Sequence, residues 1–324
     1  ISGKVTAFSV LMTAAALWGF SVSHSYIALC LWAIPYGLGA GSVDASLNNY
    51  VALHYASRHM SWLHCMWGIG ASLGPYIMGY ALSGSGSWNM GYLYVAVLQI
   101  ILTAILLFSL PLWKGRISAD AAADTEKQEP LSLKKIIRIP GAKAVMVTFF
   151  CYCATEQTTG LWASSYLMLN RGLSEDAAAS FASLFFVGIT IGRALGGFLT
   201  LKLNDAQMIR LGQVLVAVGA LSLLIPFGVS GAMIGLILIG LGCAPIYPSI
   251  IHSTPERFGA DKSQAIIGVQ MASAYVGTCL MPPVFGVIAN HINVSLLPIY
   301  LLVILMIMVF MHEKLLKVTS KRHI

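Results

Sequence analysis

The sequence predicts an all-helical membrane protein, and three observations support this prediction. Hydrophobic residues make up 57% of the 324 residues and charged residues only 10%, whereas a soluble domain carries about 25% charged residues. The apolar residues form long runs, and a bilayer-spanning helix needs roughly 20 residues. Short motifs within these runs also recur about 205 residues further along the chain.

Each long apolar run is predicted to be one transmembrane helix. Polar or charged turns separate the runs, and only one polar stretch is long. We count ten runs, at residues 5–23, 26–53, 61–82, 90–112, 143–168, 177–200, 208–229, 231–251, 263–290 and 294–312.

The basic residues predict the orientation in the membrane. If residue 1 is cytoplasmic and the spans alternate, all but Arg171 and Arg193 of the 19 Lys and Arg lie in or beside cytoplasmic segments. This asymmetry is the positive-inside pattern of membrane proteins. We therefore expect a multi-pass protein of the plasma (cytoplasmic) membrane, embedded in the lipid bilayer, with both chain ends cytoplasmic. The basic residues form no single long face, which argues against nucleic acid as a partner.

The recurring motifs predict two parallel repeats. The segment 70–79 returns as 277–286, with glycine at both ends and proline at the sixth position, and Gly37-Leu38-Gly39 returns as Gly240-Leu241-Gly242. These matches relate the second span to the eighth and the third to the ninth, so the repeat unit has six spans. Duplicated bundles of this kind are typical of secondary transporters. On this count two further spans, about 60 residues, are expected before residue 1.

The repeat also predicts the domain boundaries. Residues 1–112 form a first half with four helices, residues 113–142 a cytoplasmic linker, and residues 143–324 a second half with six helices. The linker ends in a basic segment that favours a short helix at the membrane surface. The six cysteines lie inside apolar runs without metal-type spacing, so we expect no metal site, no cofactor and no disulfide.

One carboxyl group is predicted within the second span. Gly37, Gly41, Asp44 and Asn48 share one face of the helix at helical spacing, and this small, polar stripe suits a cavity wall. A charge at mid-membrane is costly, so such a residue should face the bundle interior, pair with another group or hold a proton. Asp44 is therefore a candidate proton-coupling residue and Asn48 a candidate substrate ligand. A buried Asp that cross-links helices is the structural alternative.

A second carboxyl group lies in the span that opens the second half. Cys153, Glu156, Gln157 and Gly160 form another stripe, so Glu156 is also a proton-coupling candidate. Gln157 is a candidate hydrogen-bond partner for a polar substrate. Structural pairing of Glu156 inside the bundle is the alternative.

Several polar and aromatic residues within the spans are candidate substrate ligands, because aromatic faces with a few polar groups suit small polar solutes. A lone membrane histidine can equally form only a helix–helix hydrogen bond. The candidates are His64 and Trp67 one turn apart in the third span, Trp162, Tyr247, Gln270 and Tyr275.

A group of charges is predicted at the end of the sixth span. Arg193 follows Gly192, and Asp205 and Arg210 follow across a short loop. A charge cluster at this position can hold adjacent helices in one conformation, so the three residues form a candidate conformational latch.

At these residues the chain resembles the major facilitator superfamily. The stretch from Gly192-Arg193 through Gly197 to Asp205 and Arg210 is similar to the superfamily's cytoplasmic loop motif, with a longer spacing to Asp205. Within the superfamily the chain is most similar to the fucose-permease-like (fucose:proton symporter) group. That group carries a coupling carboxylate in a segment Gly-x-x-acid-x-x-x-Asn, which Gly41 to Asn48 matches. The resemblance implies a twelve-helix bundle, of which ten helices are present, and a coupling role for Asp44.

The leading hypothesis is a monomeric secondary active transporter that moves a small polar solute by alternating access. Coupling to protons as a symporter is expected, and a sugar is one candidate solute. A drug or metabolite exporter of the same superfamily is the alternative. An enzyme is not expected, because the sequence contains no HExxH motif and no phosphate-binding glycine loop.

Overall fold

The structure is a computed structural model that describes residues 2–85, 87–114, 131–225 and 228–320. These residues pack as two compact units. Unit 1 comprises residues 1–50 and 69–131, and unit 2 comprises residues 51–68 and 132–324. The units differ from the two halves predicted from the repeat, because residues 51–68 belong to the packing of unit 2. The predicted domain boundaries remain a prediction.

The first four helices supply unit 1 and the short segment 51–68 of unit 2. They are α1 (Ser2–Ser21), α2 (Tyr26–His54), α3 (Ser57–Ser85) and α4 (Trp88–Lys114). Within unit 1, α1 packs along α4. The Asn89 side chain at the start of α4 donates to the carbonyl oxygens of Ser21 and Ser23, both at 3.0 Å. It thereby provides hydrogen-bond donors for carbonyl groups at the C-terminal end of α1.

The remaining helices all belong to unit 2. They are α5 (Leu133–Arg138), α6 (Ala142–Arg171), α7 (Glu175–Leu199), α8 (Asp205–Leu224), α9 (Gly228–His252), α10 (Thr254–Phe258), α11 (Ala260–His291) and α12 (Leu297–Ser320), with a 3-10 turn at Val294–Leu296. Helix α9 packs against α7 and α8, and α6 packs against α11 and α12. Helix α5 lies in the basic part of the predicted linker, while residues 115–130 of that linker lie outside the described residues.

Local sequence signals explain where several helices of unit 2 begin. Ser174 precedes α7 and its hydroxyl accepts the backbone N–H of Ala177. Asn204 precedes α8 and forms a reciprocal capping box with Gln207. Each cap satisfies an N–H group that has no partner within the helix.

Glycines allow the helices of unit 2 to approach backbone to backbone. A Cβ atom on Gly240 of α9 would lie 2.2 Å from the carbonyl oxygen of Phe185 on α7, and one on Gly188 of α7 would lie 2.6 Å from the carbonyl oxygen of Ile237. Gly212 of α8 and Gly242 of α9 are equally close to each other's carbonyl oxygens. In lipid, where no hydrophobic force drives helices together, such close contacts supply much of the packing energy.

Eight helices in the described part of the chain are long and apolar enough to cross a membrane. The predicted runs in α3 and α6 are not among these eight, although both helices are long, with 29 and 30 residues. Both contain charged or polar residues in mid-helix, including His64 in α3 and Glu156 in α6. The count of ten transmembrane helices therefore stays a prediction, as does the expectation of two more helices before residue 1.

The close approach of α7 and α9 can be tested with one added methyl group. We expect Gly240→Ala to lower the free energy of unfolding in detergent by about 1–3 kcal/mol, because overpacking forces backbones apart. Gly268→Ala on α11 is the matched control, since its Cβ would meet no atom within 4 Å. Equal thermal unfolding midpoints for the two variants would contradict the close packing.

Candidate functional site

The candidate site in unit 2 is centred on a buried ion pair between α6 and α7. Arg193 Nη2 lies 3.5 Å from Glu156 Oε2, and the two side chains are only 3% and 10% exposed. The Tyr152 hydroxyl, one turn before Glu156 on α6, donates to the same carboxylate oxygen. It also accepts a hydrogen bond from Arg193 Nη2 at 3.4 Å. The three side chains thus form one polar group inside a packed bundle.

Arg193 also binds the segment 51–68 of α3. Its Nη1 donates to the backbone carbonyl of His64 at 3.3 Å, and its guanidinium carbon lies 4.7 Å from the ring centre of Trp67. A guanidinium over an indole face is attracted by the negative face of the ring. Arg193 Nε is buried without a hydrogen-bond partner among the described residues. One cation therefore links α3, α6 and α7.

Aromatic rings surround this polar group. The His64 ring stacks edge-on against Tyr247 of α9, with 4.3 Å between ring centres. Tyr247 also meets Phe149 at 4.7 Å and Tyr152 at 5.8 Å, and its hydroxyl lies 3.2 Å from the sulfur of Met271. The structure therefore brings five sequence-predicted residues together in unit 2, namely Glu156, Arg193, His64, Trp67 and Tyr247.

The arrangement makes Glu156 and Arg193 dependent on each other. A buried charge without a partner is strongly unfavourable, and removing one member of such a pair typically costs about 3–5 kcal/mol. Chemically, the group combines a carboxylate, a guanidinium that keeps its charge, and a hydroxyl that hydrogen-bonds to both.

In unit 1, Asp44 and Asn48 lie on one face of α2, as the sequence predicts. The Asn48 side-chain nitrogen donates to Asp44 Oδ1 at 2.9 Å. Asn48 is 1% exposed and Asp44 is partly buried. A Cβ on Gly37 or Gly41 of the same stripe would meet no atom of the described residues within 4 Å, so among these residues the face has open space beside it.

The other predicted substrate ligands have more varied surroundings. The Trp162 indole donates to the carbonyl of Pro282 at 3.1 Å and packs against Phe285, which joins α6 to α11. Gln270 is fully buried and its side-chain nitrogen donates to the Thr254 hydroxyl, which joins α11 to the start of α10. Gln157 is partly buried, and Tyr275 is 47% exposed.

The three residues predicted as a conformational latch have three different sets of partners, and the latch itself remains a prediction. Arg193 pairs with Glu156, as described above. Arg210 forms two hydrogen bonds with Glu313 of α12, at 2.7 and 2.8 Å. Asp205 accepts from the Ser57 hydroxyl at 2.7 Å and lies 2.6 Å from His252 Nδ1. Helices that are distant in sequence supply these partners, and a single sequence cannot reveal them.

Sequence reasoning missed Tyr152, His252 and Glu313. Tyr152 had a readable signal, because it precedes Glu156 by four residues and such pairs meet on a helix face. His252 and Glu313 are 47 and 103 residues from their partners, so no local spacing reveals them. Among the described residues, no group of three or more His, Cys, Asp and Glu side chains is arranged to hold a metal ion.

A buried ion pair inside a bundle of apolar helices is a feature of membrane transport proteins, and comparison with known families decides the assignment. A model of the Major Facilitator Superfamily matches residues 3–166 and 145–323. The chain belongs to the Major Facilitator Superfamily. It is a multi-pass membrane protein, and its family and relatives point to a transporter and not to an enzyme.

Two curated relatives illustrate the range of the superfamily. The chain is 22% identical over 301 residues to "Bypass of stop codon protein 6" of Saccharomyces cerevisiae, which covers 82% of this chain and 59% of that protein. It is 24% identical over 159 residues to a di-/tripeptide transporter of Lactococcus lactis, which covers 48% of this chain and 30% of that protein. The chain therefore spans about three fifths of the yeast protein and less than a third of the peptide transporter.

Solved transporters have the same fold. The crystal structure of the superfamily member FucP in the outward conformation aligns with a TM-score of 0.75 and 16% identity, over 96% of this chain and 83% of that one. The human organic anion transporter MFSD10 aligns with a TM-score of 0.70 and 14% identity, over 95% and 77% of the two chains. These likenesses confirm the predicted superfamily fold, while the fucose-permease-like subgroup remains a prediction.

The dependence of Glu156 on Arg193 can be measured with a double-mutant cycle in detergent. We expect Arg193→Met alone to lower the free energy of unfolding by about 3–5 kcal/mol, because it leaves the carboxylate unpaired. The double variant Arg193→Met/Glu156→Met should recover a large part of that loss. Additive effects of Arg193→Met and Glu156→Met would contradict a coupled pair.

Proposed function

We propose that this protein is a secondary active transporter that carries a small polar solute across the plasma membrane by alternating access, coupled to protons as a symporter. The observation that carries the proposal is the Glu156–Arg193–Tyr152 group, buried in a chain of the Major Facilitator Superfamily. Purely structural packing does not need a charged carboxylate inside a membrane, where such groups are costly and usually functional. The protein acts as a monomer in this proposal, with both ends of the chain cytoplasmic.

Two carboxyl groups are assigned to proton coupling. Asp44 has an amide partner, Asn48, on its own helix, so a proton would change the charge of this pair. Glu156 is held by Arg193 and Tyr152, so a proton on Glu156 would weaken its attraction to Arg193. Either event changes the balance between inward-open and outward-open states. Reversing a population from 1:99 to 99:1 takes about 5.5 kcal/mol, which proton and solute binding supply together.

The polar and aromatic residues near these carboxyl groups favour a small polar solute. In unit 2, His64, Trp67, Gln157 and Tyr247 combine ring faces with hydrogen-bonding groups, a combination that orients polar ligands. A sugar is one candidate, and the structural neighbour FucP is described as a fucose:proton symporter. A peptide is another, since a relative is named a di-/tripeptide transporter. In a solute panel, export of lipophilic drugs would instead favour the exporter of the same superfamily.

The latch is proposed as separate pairings. The Asp205 carboxylate binds Ser57 and His252, and His252 Nε2 lies 3.1 Å from the backbone carbonyl of Tyr55. These contacts tie the α2–α3 junction to the start of α8 and the end of α9, a position where they stabilise one transport conformation. Arg193 contributes through α3, and Arg210 through α12.

Asp44→Asn is expected to abolish uphill uptake but to leave counterflow exchange intact, because the amide keeps the shape of the side chain but cannot exchange a proton. The measurement is uptake of labelled solutes by the full-length protein in liposomes, with and without a proton gradient. Glu175→Gln is the matched control, since Glu175 is an exposed acid at the start of α7. Concentrative uptake by Asp44→Asn at the wild-type rate would remove Asp44 from the mechanism.

Weakening the Asp205 contacts should make the buried Cys65 of α3 more accessible to a labelling reagent. In a background without the exposed Cys30 and Cys279, we expect Asp205→Asn to raise the maleimide labelling rate of buried Cys65 about tenfold. The physical reason is the loss of a hydrogen bond to a charged group, worth roughly 1.5–3 kcal/mol. Asp261→Asn is the control, because Asp261 pairs with its own neighbour Lys262 in an exposed position. The latch role is wrong if the two variants label Cys65 equally fast.

A further inference from the structure

An apolar groove runs between α8 and α12 on the outside of unit 2. Its volume is about 710 Å³, and aliphatic and aromatic side chains form most of its wall. Among them, Met306 and Phe310 are 64% and 65% exposed. Both helices are long and apolar enough to cross the membrane, so the groove lies between two candidate membrane spans. The groove is separate from the Glu156–Arg193 group.

One end of the groove is polar, and a further cation, Lys317, lies just beyond its lining residues. Arg210 and Glu313 line this end and pair with each other while remaining half-exposed. Lys317 follows Glu313 by one helical turn and is exposed. Two cations and one anion leave one positive charge, which complements the single negative charge of a phosphate diester.

Gln213 supplies the second polar feature of the groove. It lines the wall and is 4% exposed, and its side-chain nitrogen has no hydrogen-bond partner among the described residues. A buried donor without an acceptor is unfavourable by roughly 1–3 kcal/mol. Since the surrounding wall is apolar, an acceptor on an occupant of the groove would complete the hydrogen bonding of this nitrogen. Gln213 lies one turn deeper than Arg210, about 4.5 Å along the helix axis.

The depth of the groove matches one leaflet of a bilayer. On α12 its wall extends from Glu313 to Leu302, which corresponds to about 16 Å at 1.5 Å per residue. The hydrocarbon core of a membrane is about 30 Å thick. The groove therefore has a charged end, a hydrogen-bond donor one turn below it, and an apolar channel that continues to about the bilayer midplane.

We infer that this groove is a binding site for a glycerophospholipid of the surrounding membrane. The phosphate contacts Arg210 and Lys317, an ester carbonyl accepts a hydrogen bond from Gln213, and one acyl chain lies along Leu302, Met306 and Phe310. The phosphate, ester and acyl chain follow one another along the lipid in the same order as the charged end, Gln213 and the apolar wall follow one another along the groove. The site does not depend on the proposed transport activity, so its test stands or falls independently.

The test uses the full chain in phosphatidylcholine liposomes that contain a photoactivatable phosphatidylglycerol with a diazirine in one acyl chain. We expect crosslinks to concentrate in residues 214–217 and 302–310 when the labelled peptides are mapped by mass spectrometry. Gln213→Leu should reduce this crosslinking about three- to tenfold, the effect of one lost hydrogen bond. A diether analogue without ester carbonyls should reduce crosslinking of the wild-type protein by the same factor. In the Gln213→Leu variant, the diether and ester lipids should crosslink equally.

A steric variant keeps the test independent of hydrogen bonding. Ala217→Trp fills the groove and should abolish crosslinking there. Val218→Trp is its control, because Val218 is a neighbouring exposed residue that does not line the groove. Thermal unfolding verifies that the variants are folded. The inference is overturned if the two Trp variants crosslink alike, or if wild-type crosslinks are spread evenly over exposed apolar faces such as that around Phe108.

Discussion

A guanidinium and a carboxylate that neutralise each other away from water are the interaction on which unit 2 depends. Arg193 joins α3, α6 and α7 through Trp67, the backbone of His64 and Glu156. In a low-dielectric interior each charge is tolerable only because of the other. Because Arg193 contacts all three helices, a change in either charge would alter the contacts between them.

Close helix packing provides the frame that holds this pair in place. In lipid the helices gain nothing from hiding apolar side chains from water, so they rely on surface fit and on hydrogen bonds. The glycines of α7, α8 and α9 let backbones touch, for example where Gly212 and Gly242 face each other. The α9 helix that these glycines fix also carries Tyr247, which places that ring against His64. Packing and the candidate site are therefore linked through one helix.

Much of the fold could be predicted from the sequence, because apolar runs of bilayer length have few alternatives. Each predicted run overlaps a long helix, and the stripe of Asp44 and Asn48 lies on one helix face as expected. The partners of Asp205 and Arg210 could not be predicted, because His252 and Glu313 come from other helices. Gln270 illustrates a further limit, since the sequence shows an amide within a span but not its bond to Thr254.

Tyr152 fixes the direction of the hydrogen bonds within the charged group. Its hydroxyl has one hydrogen, which is donated to Glu156, while its oxygen accepts from Arg193. If a proton bound this Glu156 oxygen, the Tyr152 hydroxyl could no longer donate to it and would have to turn to another acceptor. With Phe149 and Tyr247 packed around it, the phenol has few directions in which to turn. Protonation of that oxygen would therefore link the charge of Glu156 to the orientation of the Tyr152 hydroxyl within its aromatic surroundings.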